Sequence, residues 1–118
     1  MKLKSEQGYF LNPKKSPYSV EKYDSLWELE YMKYLETDST IAKWTKNHGI
    51  EIPYIDEKGN QKKYRPDFLI ERTDGVKELR EVKGTHMLNS LTTKHKKEFA
   101  KRWCKARGME YIVISKHS

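Results

Sequence analysis

Several features are scarce in this chain, and each scarcity removes a class of protein. A single cysteine, Cys104, among 118 residues rules out an internal disulfide and suits a reducing interior. No apolar run approaches the roughly 20 residues needed to cross a bilayer, and the opening MKLKSEQGYF has no apolar signal segment. The expectation is a cytoplasmic, intracellular protein with no membrane partner. A glycine-rich phosphate loop and a serine-centred nucleophile motif are both missing. His48, His86, His95 and His117 show no zinc-type spacing with one another or with Cys104, and scattered surface positions are expected for them. No internal repeat is present.

Charge is abundant. Charged residues make up 35% of the chain against 36% hydrophobic, so the core must be small and the surface heavily ionic. Three Trp, eight Tyr and three Phe supply much of the apolar area, which argues against disorder. The length suits one domain. A net charge of +7 and an isoelectric point near 9.4 suit a polyanionic partner, nucleic acid first among them.

Residues 1–23 hold Gly8, Pro13, Pro17 and five lysines without periodicity and read as an extended arm, packed through Tyr9, Phe10, Tyr18 and Tyr23 or laid along a phosphate backbone. Residues 24–118 then form the single folded domain. A helix starts after Ser25 as N-cap and runs to about Glu36, with Trp27, Tyr31, Tyr34 and Leu35 on its apolar face. Glu28 falls inside the apolar arc, between Leu35 and Met32. Two readings of it stand side by side: the second half of a Ser25-x-x-Glu28 capping box, or a carboxylate aimed at a site. Ile41–Trp44 reads as a continuation of the helix or a short second turn, with Trp44 in the core. Ile50, Ile52 and Tyr54 alternate as a strand, expected to lie as the third strand beside the hairpin of Tyr64–Lys83, and a turn at 57–60 leads into a run from Lys62 to Ile70. A second helix spans about Leu91 to Arg107 and is stopped by Gly108. Phe99, Trp103 and Ala106 lie on one side of it; Lys94, Lys97, Lys101 and Lys105 form a stripe on another, either a solvated face or a phosphate-binding one. Met109–Ser115 closes the chain as a strand, returning in parallel through a right-handed crossover.

Tyr64–Lys83, YRPDFLIERTDGVKELREVK, is the stretch with chemistry in it. It reads as a hairpin turning at Thr73-Asp74-Gly75. With Gly75 in the left-handed conformation, Arg72 pairs with Val76, and counting back sets Asp67 opposite Glu81. Directly opposed like charges are destabilising without something positive between them. Side chains alternate along a strand, so Glu81 and Lys83 share a face. Asp67, Glu81, the Val82 carbonyl and water form a hard oxygen set suited to Mg²⁺ or Mn²⁺, and Lys83 is placed to act on a water. The plainer alternative pairs Asp67 and Glu81 with Arg65 and Lys83 on an exposed sheet face.

Ser25-Leu-Trp-Glu28, Trp44 with Ile52-Pro-Tyr54, Tyr64-Arg-Pro-Asp67-Phe and Glu81-Val-Lys83-Gly84 together resemble the PD-(D/E)xK nuclease superfamily. Within it they are most similar to TnsA-type endonucleases and related tailed-phage nucleases of the head-completion type. The resemblance covers about residues 18–115. It implies an α/β, restriction-endonuclease-like core in α-β-β-β-α-β order, with a central mixed sheet of about four strands flanked by helices. It further implies metal ligands at Glu28, Asp67 and Glu81, a catalytic lysine at Lys83, Mg²⁺ with Mn²⁺ as its substitute, and DNA as substrate, in a bacterial or phage-infected cell. The sequence departs from the TnsA pattern in lacking a second domain for transposition partners. An inactive DNA-binding or virion module of the same fold, or a Holliday-junction resolvase, stays open as an alternative. So do a homodimer and membership of a larger phage or recombination assembly.

Overall fold

The chain is described here from a computed structural model, which covers residues 6–84 and 91–116. A short antiparallel hairpin, β1 (Gly8–Leu11) and β2 (Val20–Tyr23), comes first, and α1 (Leu26–Thr37) follows. Ser25 starts α1 by accepting the Glu28 N–H on its Oγ, at 3.2 Å. Asp38 stops it: its carboxylate accepts both the N–H and the hydroxyl of Thr40, turning the chain out of the helix. Then come β3 (Ile41–Thr45), β4 (Ile52–Ile55), β5 (Gln61–Tyr64), β6 (Phe68–Arg72), β7 (Lys77–Gly84), α2 (Leu91–Ala106) and β8 (Glu110–Lys116).

The fold is α/β, organised on a mixed four-stranded sheet in the order β3-β6-β7-β8. β3 and β7 both run antiparallel to β6, and β8 returns parallel to β7. Alternation sends side chains of the central strands to opposite faces. Phe68 and Ile70 pack with Met32, Leu35, Ile41 and Trp44 under α1. Leu79 faces the other way and packs with Ala100 and Cys104 of α2 and with Ile52, Tyr54 and Tyr64. The helix α2 ends in a Schellman motif: Met109 N–H reaches the Cys104 carbonyl, Gly108 N–H reaches that of Lys105, and Gly108 takes φ +69°. The β6–β7 turn has Arg72 N–H on the Val76 carbonyl and Gly75 at φ +89°, the register expected from the sequence.

Three sequence expectations are corrected. Ile41–Trp44 is a strand, because α1 has already ended at Asp38 and Ile41, Trp44 and Thr45 are buried beside β6. The run from Lys62 to Ile70 is two strands in two sheets. Pro66 has no N–H to donate, the pairing breaks at Arg65-Pro66-Asp67, and β5 pairs with β4 in a separate two-stranded sheet. The third neighbour of the central hairpin is therefore β3 rather than Ile50–Tyr54. On the helices, Tyr34 and Ala106 are exposed, and α2 buries Ala100 and Cys104 instead.

Residues 8–23 form a docked hairpin. Phe10 sets its edge against Trp44, with ring centroids 6.1 Å apart. The Trp44 N–H donates to the Lys15 carbonyl, and buried Glu21 accepts from the Ser16 and Thr45 hydroxyls and the Lys46 N–H. No helix among the described residues is long and apolar enough to cross a membrane.

Leu79, fully buried at the centre of the sheet, reports on the α2 side of the core. Leu79→Ala is expected to lower the unfolding free energy by about 3 kcal/mol, within the usual range for such cavities, measured by urea denaturation.

Candidate active site

One end of the sheet, where β6 begins and β7 finishes, gathers the polar chemistry. Continuing the pairing one step beyond Phe68 and Arg80 sets Asp67 against Glu81. The two are interlocked through their backbones: Asp67 N–H donates to Glu81 Oε1 at 3.2 Å, and Val82 N–H donates to Asp67 Oδ2 at 2.8 Å. Glu81 Oε1 also accepts the Tyr64 hydroxyl at 2.8 Å, and that hydroxyl lies 2.7 Å from the Tyr111 hydroxyl. Glu81 Oε2 lies 3.3 Å from Lys83 Nζ. The N–H and C=O of one strand residue point to the same side, so the Val82 carbonyl is directed to the same edge of β7 as its N–H.

Burial first, and then the negative charge of Glu81, push the Asp67 carboxyl far above the usual carboxylate range, to about 7. The Val82 N–H opposes this, Glu28 adds to it and Lys46 opposes it. Burial and the Glu81 charge also raise the Tyr64 phenol, which keeps it a donor to Glu81.

Two further groups set the shape of the site. Half-buried His48 accepts the Ile50 N–H on Nδ1, so the proton sits on Nε2 and is donated to the Pro66 carbonyl at 2.7 Å. Burial holds this imidazole below its ordinary pKa. His48 thereby pins the residue just before Asp67, a placement that corrects its expected surface position. Lys46 Nζ lies 2.6 Å from Glu28 Oε1 and 3.0 Å from Asp24 Oδ2. Glu28 Oε1 also accepts the Asp24 N–H at 2.7 Å, one residue earlier than a standard capping box. Glu28 thus caps α1, pairs with Lys46 and bears electrostatically on Asp67.

Asp67, Glu81, Lys83 and Val82 come together, then, with Glu28 at the edge of the group. Among the described residues no three His, Cys, Asp or Glu side chains are grouped closely enough to hold an ion by themselves. Two carboxylates, the Val82 carbonyl and water are nevertheless a hard oxygen set, and burial together with the Glu81 charge raises the proton affinity of Asp67. The residues fit such an ion as a two-carboxylate site completed by water. A surface cavity of about 530 Å³ opens beside Asp67, with Tyr9, Lys22, Lys46 and Arg65 in its walls.

Lys94, Lys97, Lys101 and Lys105 are exposed on α2. His95 Nδ1 lies 3.2 Å from the Ile55 carbonyl, and His86 and His117 lie outside the described residues. The residues missed in the sequence are Lys46, His48, Tyr64 as a hydroxyl donor, and Lys96, whose ammonium stands 5.3 Å from the Tyr64 ring centroid. A signal for Lys96 existed: it heads an i, i+3, i+4, i+7 row with Phe99, Ala100 and Trp103.

Asp67 generates a pH test in metal-free buffer. Its carboxyl binds a proton more tightly folded than unfolded, so stability falls as pH rises from about 4 to about 7. Asp67→Asn is expected to melt several degrees higher than the wild type at pH 8, the difference disappearing near pH 4, as read by thermal denaturation with a chelator present.

Residues 38–116, more than half of the chain, match the family described as TnsA-like endonuclease N terminal. The match takes in Asp67, Glu81, Lys83 and all of α2, and begins after Glu28. No curated protein matches the chain. With a family match of that extent laid over a mixed four-stranded α/β core, the chain belongs to the TnsA-like endonuclease N-terminal family.

Proposed function

We propose that this protein is a Mg²⁺-dependent DNA endonuclease that hydrolyses phosphodiester bonds at Asp67, Glu81 and Lys83, with Mn²⁺ able to replace Mg²⁺. The observation that carries the reading is the interlocked, half-buried Asp67–Glu81 pair with Lys83 Nζ 3.3 Å from Glu81 Oε2. Membership of an endonuclease family supports nuclease chemistry and DNA as the substrate class.

Asp67, Glu81 and the Val82 carbonyl would hold the ion. When bound, it supplies Lewis acidity at the phosphodiester and makes water a better nucleophile. The chain's own groups do the rest. Val82 N–H and Tyr64 OH fix one oxygen of each carboxylate, so the pair needs no rearrangement when substrate arrives. His48 holds the backbone leading into Asp67. Lys83, oriented by Glu81, donates to the attacking water or to a phosphate oxygen and stabilises charge as it develops. Glu28 is the third acidic group of the proposed site, and the exposed Lys94, Lys97, Lys101 and Lys105 supply long-range attraction to the DNA.

One observation favours a second reading. Lys46 sits on Glu28 at 2.6 Å, as an internal ammonium standing in for a metal ion would. In that case the protein is a non-catalytic DNA-binding or virion module. One nicking assay on supercoiled DNA separates the two. With Mg²⁺ the wild type is expected to nick, Lys83→Ala to lose at least a hundredfold in rate, and Glu28→Gln to lose much of the rate and, with its ion pair to Lys46 gone, some stability. A wild type that fails to nick with either Mg²⁺ or Mn²⁺ favours the second reading. Full activity of Lys83→Ala removes lysine from the mechanism.

A further inference from the structure

The outward face of the β1–β2 hairpin is apolar where solvent calls for polar residues. Side chains alternate along each strand, and the inward set is firmly held. Phe10 and Tyr23 pack against the Trp44 cluster, and a side chain at Gly8 would run into the Tyr23 ring. The other parity faces out: Tyr9 stands opposite Lys22 and Leu11 opposite Val20, with Tyr9 63% and Leu11 65% exposed. An exposed apolar patch on an element docked this closely marks a contact surface. The hairpin also precedes residue 38, where the family match begins, so this face belongs to a part of the chain that the match does not take in.

The face runs into the candidate site. Tyr9, Val20 and Lys22 line the same cavity of about 530 Å³ as Arg65, Pro66 and Asp67. Several charges in its walls are already committed. Lys46 is paired with Glu28 and Asp24, and buried Glu21 takes the hydroxyls of Ser16 and Thr45. Two cations are left available. Lys22 lies 3.9 Å from Asp24, but both side chains are more than half exposed and the pairing is weak. Arg65 is exposed and forms no ion pair among the described residues. Beside Asp67 the cavity therefore offers an open phenol ring and two cations, the combination that stacks a base and follows a phosphate backbone. A base inside a continuous duplex has both faces covered by its neighbours, so the ring suits a nucleotide that has left the stack.

We propose that this cavity receives an unstacked nucleotide of the substrate strand, its base on Tyr9 and its phosphate between Arg65 and Lys22, so that the β1–β2 hairpin selects DNA that is single-stranded or opened over continuous duplex. The inference rests on the nuclease reading for its substrate, but its test reads binding alone. Binding of a fluorescent single strand and of the matching duplex is titrated across salt concentrations with a chelator present, for the wild type, Tyr9→Leu, Tyr9→Phe and Arg65→Gln. Leucine keeps apolar bulk without a ring; phenylalanine keeps the ring. Tyr9 and Arg65 are exposed, so all four proteins should melt together. The wild type is expected to prefer the single strand. Tyr9→Leu should weaken single-strand binding at least about fivefold, with duplex binding and the salt slope unchanged, and Tyr9→Phe should restore it. Arg65→Gln should instead flatten the single-strand slope of log affinity against log salt by about 0.7. A Tyr9→Leu protein with wild-type affinity for the single strand, or with an equal loss on the duplex, overturns the proposal, as does a wild type that binds neither probe; nicking of supercoiled DNA, read separately, decides the nuclease reading in each case. Light scattering covers the remaining occupant: a wild-type dimer that Tyr9→Leu dissociates gives this face to a second copy of the chain and overturns the nucleotide site.

Discussion

Two carboxylates held face to face at the end of an antiparallel strand pair form an arrangement a fold keeps only under constraint. Asp67 and Glu81 repel, and burial sharpens the repulsion by removing the water that would screen it. The backbone enforces their meeting: each side chain accepts an N–H from the opposite strand, so neither turns away without abandoning a buried donor. Tyr64 adds a third donor, and His48 fixes the chain at Pro66, where the lack of an N–H has already broken the strand. The elevated proton affinity of Asp67 is the outcome of that geometry.

Around this negative centre the chain places cations at graded distances. Lys83 touches Glu81, Lys46 reaches the site through Glu28, Lys96 stands over Tyr64, and the exposed lysines of α2 lie outermost. The inner three are partly buried and act over ångströms; the outer group is solvated and screened by salt beyond about 10 Å. Under the proposed function, a basic surface leading to an acidic centre would bring a polyanion to groups that repel it, and a divalent cation would reconcile the two. The docked β1–β2 hairpin adds a wall to the cavity beside Asp67, which makes residues 8–23 part of the surroundings of the site.

Much of the candidate site was legible because it depends on short-range rules. A glycine at the left-handed position sets the turn, the turn sets the register, and the register opposes Asp67 to Glu81. The N-cap at Ser25 and the stop at Gly108 follow from equally local chemistry. What failed depended on tertiary partners. Ile41–Trp44 is a short apolar run that suits helix or strand equally, and only pairing with β6 decides it. The strand signal from Lys62 to Ile70 hid a change of sheet at Pro66. The extended arm turned out to contain a hairpin, because Glu21 and Phe10 find partners more than twenty residues ahead. In the site, Lys83 was visible in a motif, whereas Lys46 and His48 sit in stretches without a pattern. Lys96 lies on the inward row of a helix whose exposed lysines form the stronger charge pattern.

The central claim is that the Asp67–Glu81 pair is held at high electrostatic cost so that a divalent cation can relieve it. Calorimetric titration of Mn²⁺ into the DNA-free protein, repeated in buffers of different ionisation enthalpy at pH 6.5 and at pH 8, measures this most directly. With the Asp67 carboxyl titrating near 7, binding at pH 6.5 should release about three quarters of a proton per ion, and binding at pH 8 about a tenth. No detectable binding at pH 8, or proton release that is the same at both pH values, would contradict the account.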